Sequence, residues 1–202
     1  MNWERSSTSM IRLVGPGGAG KSTVGLALAD RLKISFVDLD EQFTSRYGDI
    51  SAYLASHGYH DYARQNVQVY LDTLTSLREQ AILALSSGFM TYADDAPSAY
   101  REIYDEIVTS PSAVLLLPSF DVETCVAETV RRQLRRPFAR SAAREEQVIR
   151  SRFAVYCGLP MKTFETMRPV GAVVDDLVVH LYPTSPALPL SDQSVSSLVL
   201  AL

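Results

Sequence analysis

Three stretches of this 202-residue chain have residue types and spacings that could do chemistry. The first is Gly15-Pro16-Gly17-Gly18-Ala19-Gly20-Lys21-Ser22-Thr23, which matches G-x-x-x-x-G-K-[ST]. Glycines lack a Cβ, so such a loop can curl and aim several backbone N–H groups inward. With a helix N-terminus behind them, those donors suit the phosphates of a nucleotide. Lys21 is expected to reach the β- and γ-phosphates, Ser22 to ligate Mg²⁺, and Thr23 to support the helix start. The guanine-reading motif N-K-x-D is absent, which disfavours a GTPase.

The second stretch is Asp38-Leu39-Asp40, which follows Phe36-Val37. In a parallel sheet, ligands gather at the carboxyl ends of strands. If the strand persists, Asp38 and Asp40 point the same way. One could hold a metal-bound water; the other could orient an acceptor hydroxyl or take its proton. The alternative is a solvated turn in which Asp40 caps the next helix. The third stretch is basic. Eight of the chain's 16 arginines fall in the 22 residues from Arg131 to Arg152, offset within that span by Glu145 and Glu146. Phosphoryl transfer needs positive charge over the moving phosphate and exclusion of water. A flap hinged near Arg135-Arg136-Pro137 would supply both; a solvated face or a nucleic-acid patch would also carry such charge.

The elements that must position these groups alternate. Met10–Val14 reads as a strand buried on both faces, and Lys21–Leu32, with Val24, Leu28 and Leu32 four apart, as a helix. Strands are expected at 34–37, 81–85, 113–117 and 161–166. Helices are expected at 53–79, broken at Gly58, and at 98–109, 121–134, 144–156 and 169–181. Five strands alternating with helices imply an α/β fold with a parallel sheet. The folded domain is expected over residues 10–182, between a polar extension (1–9) and a Pro/Ser-rich tail (183–202). The acceptor region is placed at about 38–66 and the lid at about 131–144.

Composition bounds the rest. With 47% hydrophobic and 21% charged residues the chain is globular. Its net charge of −4 argues against nucleic-acid binding through overall charge. No apolar run approaches a membrane span, no signal core follows Met1, and two sparse cysteines fit a reducing cytoplasm.

These residues resemble the shikimate kinase family of P-loop kinases. The loop has that family's form, G-x-x-G-x-G-K-S-T. Phe36–Asp40 resembles its strand-end segment, Arg136-Pro137-Phe138 its lid motif, and Arg152-Phe153-Ala154-Val155-Tyr156 its R-x-x-x-Y. The resemblance implies a P-loop kinase fold with sheet order 2-3-1-4-5 and an Arg-rich lid. It implies ATP and Mg²⁺ as cofactors, a small hydroxy acid as acceptor, and a monomer. It assigns catalysis to Lys21, Asp40 and Arg136, the nucleotide to Gly15 through Thr23 and Arg136, and the metal to Ser22 and Asp38. Substrate binding falls to Asp40, Arg64, Ser86, Ser87, Gly88 and Arg152.

Departures lie on the acceptor side. The pattern G-E-x-x-F-R-x-x-E reads here from Gly58 to Asn66, with Ala63 at the Arg position, Arg64 one residue late and Asn66 for the second Glu. Ser86-Ser87-Gly88 replaces a Gly triplet. If Arg64 reaches the site, two guanidiniums meet an acceptor carboxylate. If not, Arg152 does so alone, and Ser86, Ser87 and Tyr59 favour a more hydroxyl-rich acceptor. Shikimate phosphorylated at its 3-hydroxyl is the first expectation, another polyol or sugar acid the second, and a silent nucleotide-binding regulator the third. His57 and His60 are expected as surface residues, and Tyr59, Tyr62 and Tyr70 as packing.

Overall fold

The computed structural model describes residues 10–92, 98–135 and 141–183. The strands are β1 (Ile11–Val14), β2 (Ser35–Asp38), β3 (Ala81–Ala84), β4 (Ala113–Leu117) and β5 (Lys162–Glu165). They form one parallel sheet in the order β2-β3-β1-β4-β5. The segments Ile11–Val14, Ala81–Ala84 and Ala113–Leu117, apolar but for Arg12, are buried throughout and take the three central places. The mixed segments Ser35–Asp38 and Lys162–Glu165 take the edges, where one flank meets water. The expected order is therefore observed.

Helices cover both faces. On one, α1 (Lys21–Leu32) and α7 (Val170–Leu181) bury Val24, Leu28, Val173, Val174 and Leu177 against Ile11, Leu13 and Ile82. On the other, α2 (Leu39–Tyr47), α3 (Ile50–Ser76) and α4 (Ser98–Thr109) pack an aromatic-rich core that includes Phe43, Tyr62, Tyr70 and Phe89. There Arg12, from β1, is buried with its charge met: it donates to Tyr70 Oη at 2.9 Å and to Glu106 at 2.6 Å. Two further helices, α5 (Val122–Gln133) and α6 (Ala142–Cys157), pack on each other.

Most expected boundaries hold within a few residues, and Gly58 does interrupt α3, with φ 81° and ψ 170°. The correction is α2. The strand does not persist beyond Asp38; a helix begins at once, and the cap is Asp38, not Asp40. The Asp38 side chain accepts from the Asp40 N–H at 3.0 Å. Only Leu39 and Phe43 of this nine-residue helix are buried, so its apolar periodicity is a single i, i+4 pair. The next helix starts at Ile50, capped by Asp49, rather than at Tyr53. Residues 1–9 and 184–202, where the extension and most of the tail are expected, lie outside the described residues.

Candidate nucleotide and acceptor site

The phosphate loop leaves β1 at Val14 and enters α1 at Lys21. Gly15 is required by contact: a Cβ there would lie 2.3 Å from the Leu116 carbonyl oxygen. Gly20 is required by conformation, with φ 95° at the N-cap of α1 and no side chain capping the helix. The first-turn N–H groups thus face the cleft rather than a capping oxygen, as an anion site needs. Lys21 Nζ donates to the carbonyls of Gly15 (2.7 Å) and Pro16 (3.0 Å), so it lies over the loop. Ser22 Oγ donates to Asp38 Oδ2 at 2.7 Å, joining the loop to the end of β2.

A second layer holds the loop from behind. Arg132 on α5 donates to Gly18 O (3.1 Å), to Thr166 Oγ1 (3.0 Å) and O (2.9 Å), and to Glu128 (2.6 Å); Thr166 Oγ1 donates to Ala19 O at 2.7 Å. Glu128 also receives Arg131. Hydrogen bonds from Arg131, and then from Arg132, hold its carboxyl down at about 2, against the upward push of burial.

This corrects the reading of the basic stretch. Arg131 and Arg132 belong to α5 and are ion-paired, and Arg150 pairs with Glu123 and Glu146. Glu123 and Glu128 lie upstream of the arginine-rich span but next to it in space. Arg135 follows α5. Arg136 and Arg140, the expected lid cations, lie outside the described residues.

A cleft of about 670 Å³ opens on the loop. Gly17 to Thr23 line one side; Asp38, Asp40 and Glu41 line another, with Thr44 and Ser45 one turn further along α2. Leu85, Ser87 and Gln133 complete the wall. Glu41, Thr44 and Ser45 were not found from sequence because α2 itself was not, and Gln133 was missed because nothing local marks the last residue of α5 as facing the loop.

Ser87 joins this cleft to a second cluster. Its carbonyl accepts from the Tyr156 hydroxyl and, at 3.4 Å, from Arg152 Nη1. Arg152 Nη2 donates to Tyr59 Oη at 3.2 Å, and Gly88 lies beneath both. Ser86 behaves differently. It is buried, and its hydroxyl accepts from Asn66 Nδ2 at 3.1 Å, while Asn66 Oδ1 accepts from Tyr92 at 2.9 Å. Its expected substrate role therefore does not match its hydroxyl's position inside the core. Tyr62, Tyr92 and Tyr156 have their pKa values raised by burial, with Asp40's negative charge adding to it, so this wall stays neutral at physiological pH.

Arg64 is not brought to this site. Tyr62 and Ala63 are buried, and the following residue is rotated about 100° onto the outer face of α3. There Arg64 pairs with Asp61 and lines a separate depression with His60 and Gln68. His57 and His60 are exposed, as expected. Tyr62 and Tyr70 are core residues, but Tyr59, expected to pack, is 43% exposed with its hydroxyl on Arg152. Cys125 is buried and Cys157 exposed, both as free thiols.

Ser22 and Asp38 present hard oxygen donors at the mouth of the loop, a set that suits Mg²⁺. No cluster of three or more His, Cys, Asp or Glu suited to a metal occurs among the described residues. Among the described residues no helix is long and apolar enough to cross a membrane.

Comparison with known proteins gives a consistent picture. The family model described as shikimate kinase matches residues 17–180. A shikimate kinase of Legionella pneumophila (strain Corby) is 30% identical over 177 residues, covering 85% of this chain and 94% of that protein. The structure of a shikimate kinase from Acinetobacter baumannii in complex with shikimate superposes with a TM-score of 0.66 at 26% identity, covering 88% of this chain and 96% of that one. A gluconokinase from Sinorhizobium meliloti shares the fold, with a TM-score of 0.57 at 18% identity, covering 88% and 93% of the two chains.

Proposed function

The chain belongs to the shikimate kinase family of ATP-dependent small-molecule kinases, and on that premise we propose that it transfers the γ-phosphate of ATP to the 3-hydroxyl of shikimate. The observation that carries the reading is one continuous surface. The phosphate loop, the Ser22–Asp38 pair and Asp40 share a cleft, and Ser87 continues it to Arg152.

The residues divide the work by their chemistry. The loop N–H groups and the helix start bind the nucleotide phosphates, and Lys21 swings from its loop carbonyls onto the β/γ-phosphates. Ser22 and Asp38 would hold Mg²⁺, which, when bound, neutralises charge on the phosphate oxygens. Asp40, in the first turn of α2, orients the attacking hydroxyl and receives its proton. Arg152 holds the acceptor carboxylate. Among the described arginines it alone is both partly buried and without a carboxylate partner among the described residues; Arg12 and Arg132, the others away from bulk water, pair with Glu106 and Glu128. An unpaired, half-buried guanidinium favours an anionic ligand. Arg136 is assigned to the phosphates through its lid motif. All these groups come from one chain, so a monomer suffices, and ATP as donor fits the cytoplasm.

A second reading rests on Arg64 facing Asp61. With a single guanidinium and with Asp40, Glu41, Thr44 and Ser45 along α2, the cleft also suits a more hydroxyl-rich acid. ADP release measured with shikimate and a panel of sugar acids tests both. Release with shikimate supports the first reading, release with another acid alone supports the second, and release with none refutes both.

A further inference from the structure

We propose that Tyr59 is a second anchor for the acceptor's carboxylate, donating its phenol proton to the anion that Arg152 holds. The inference rests on the acceptor being an acid, as proposed above.

Four observations converge. First, Tyr59 stands apart from the other tyrosines of its half of α3. Tyr62 and Tyr70 are 6% and 0% exposed, whereas Tyr59 is 43% exposed. Gly58, with φ 81° and ψ 170°, breaks the helix immediately before it and re-aims the chain there. Second, the ring is fixed by its neighbours: its centroid lies 6.1 Å from that of Tyr62 and 5.9 Å from that of Tyr92. The hydroxyl is therefore presented on a supported ring at low entropic cost.

Third, the hydrogen-bond accounting leaves a donor over. Tyr59 Oη accepts from Arg152 Nη2 at 3.2 Å, and among the described residues nothing accepts the Tyr59 proton. Arg152 also has donors to spare: among the described residues its acceptors are Tyr59 Oη and, at 3.4 Å, Ser87 O. Fourth, a glycine lets the pair come close to the backbone. A Cβ on Gly88 would sit 2.9 Å from Tyr59 Oη and 3.2 Å from Arg152 Nη2. A guanidinium and a phenol thus meet over one position that has no side chain.

A carboxylate has two oxygens and several lone pairs, and a partly desolvated one needs more than a single donor. With Arg64 paired to Asp61, Tyr59 supplies the additional donor without additional charge. One cation and one neutral donor match a monoanion better than a dianion, so the pair selects a monocarboxylate acid over a phosphorylated analogue.

Tyr59→Phe removes the hydroxyl and keeps the ring contacts. In transfer assays the KM for shikimate should rise about ten- to hundredfold, the usual weight of a hydrogen bond to a charged group. The turnover number and the KM for ATP should stay within about twofold, as should the KM for shikimate methyl ester, because a ground-state contact distant from phosphate affects only acceptor binding. Calorimetry with cyclohexanecarboxylate, which has no hydroxyl to phosphorylate, reads the same anchor without turnover. Its affinity should fall about tenfold or more in Tyr59→Phe and also in Gly88→Ala, whose Cβ would press on the Tyr59 hydroxyl and Arg152 from the backbone side.

If no acid is phosphorylated but the probe binds and weakens in both variants, the anchor stands and the acceptor reading falls. If shikimate is phosphorylated while Tyr59→Phe leaves its KM and the probe's affinity unchanged, the anchor is overturned and the acceptor reading stands. A wild-type protein that does not bind the probe also overturns the anchor.

Discussion

Asp38 is where a structural role and a chemical one can be separated by a single atom change. Its Oδ1 caps α2 through the Asp40 N–H at 3.0 Å, and its Oδ2 receives the Ser22 hydroxyl at 2.7 Å. Asparagine caps about as well as aspartate but carries no charge. Asp38→Asn should therefore keep the fold. Loss of the helix-dipole interaction costs about 0.3–1 kcal/mol, a fall in Tm of no more than about 4 °C at this size. Asp38→Ala removes the cap as well, for about 2 kcal/mol in all and a fall of roughly 4–8 °C.

Metal dependence should respond differently. A charge-assisted contact is worth about 1.5–3 kcal/mol, so both variants should need about ten- to hundredfold more Mg²⁺ for half-maximal ADP release. The measurements are thermal unfolding by circular dichroism and a Mg²⁺ titration at saturating ATP and acceptor. An unchanged Mg²⁺ requirement in Asp38→Asn would refute the metal role and leave Asp38 as a helix cap alone.

Lys21→Ala should unfold within about 3 °C of wild type, because a part-exposed first-turn lysine contributes little packing, yet lose transfer through loss of charge at the phosphates; turnover within about threefold of wild type would be incompatible with the loop assignment. Asp40→Asn should lower kcat by about 10²–10⁴ with the KM for ATP unchanged, and a raised KM for ATP at normal kcat would move Asp40 to the nucleotide side. Glu128→Gln should lower Tm at neutral pH by loosening the Arg131–Arg132 clamp behind the loop. Since Glu128 is held down at about 2, its contribution is complete above the unfolded value of about 4.3 and declines as pH falls towards 2. The gap in Tm between wild type and variant at pH 3 should thus be less than half that at pH 7, and an equal gap would refute the linkage.

The parallel sheet was legible because the largely apolar runs Ile11–Val14, Ala81–Ala84 and Ala113–Leu117 have one good place, the middle of such a sheet, whereas the strand order followed from the family resemblance. The phosphate loop was legible for a local reason: its glycines, Lys21 and Ser22 are contiguous, and a strand-to-helix turn of that composition has few other conformations. Helix α2 was not, since nine residues with two buried side chains carry too little periodicity, and its start depends on Asp38 turning back to its own backbone.

The acceptor side lay further from view because its groups come from distant segments. Tyr59, Ser87, Gly88 and Arg152 meet across 93 residues of chain. Whether a side chain faces cleft or core there depends on one residue of helical phase, about 100°, which composition does not encode. That phase turns Arg64 out to Asp61, and the Gly58 break turns Tyr59 in to Arg152. The charge of the arginine-rich stretch was settled the same way, by Glu123 and Glu128 arriving from outside it. Sequence alone determined the phosphate chemistry, which is written in consecutive residues. Tertiary packing decided which acceptor groups share a pocket, because that depends on rotations and long-range contacts that only the closed core imposes.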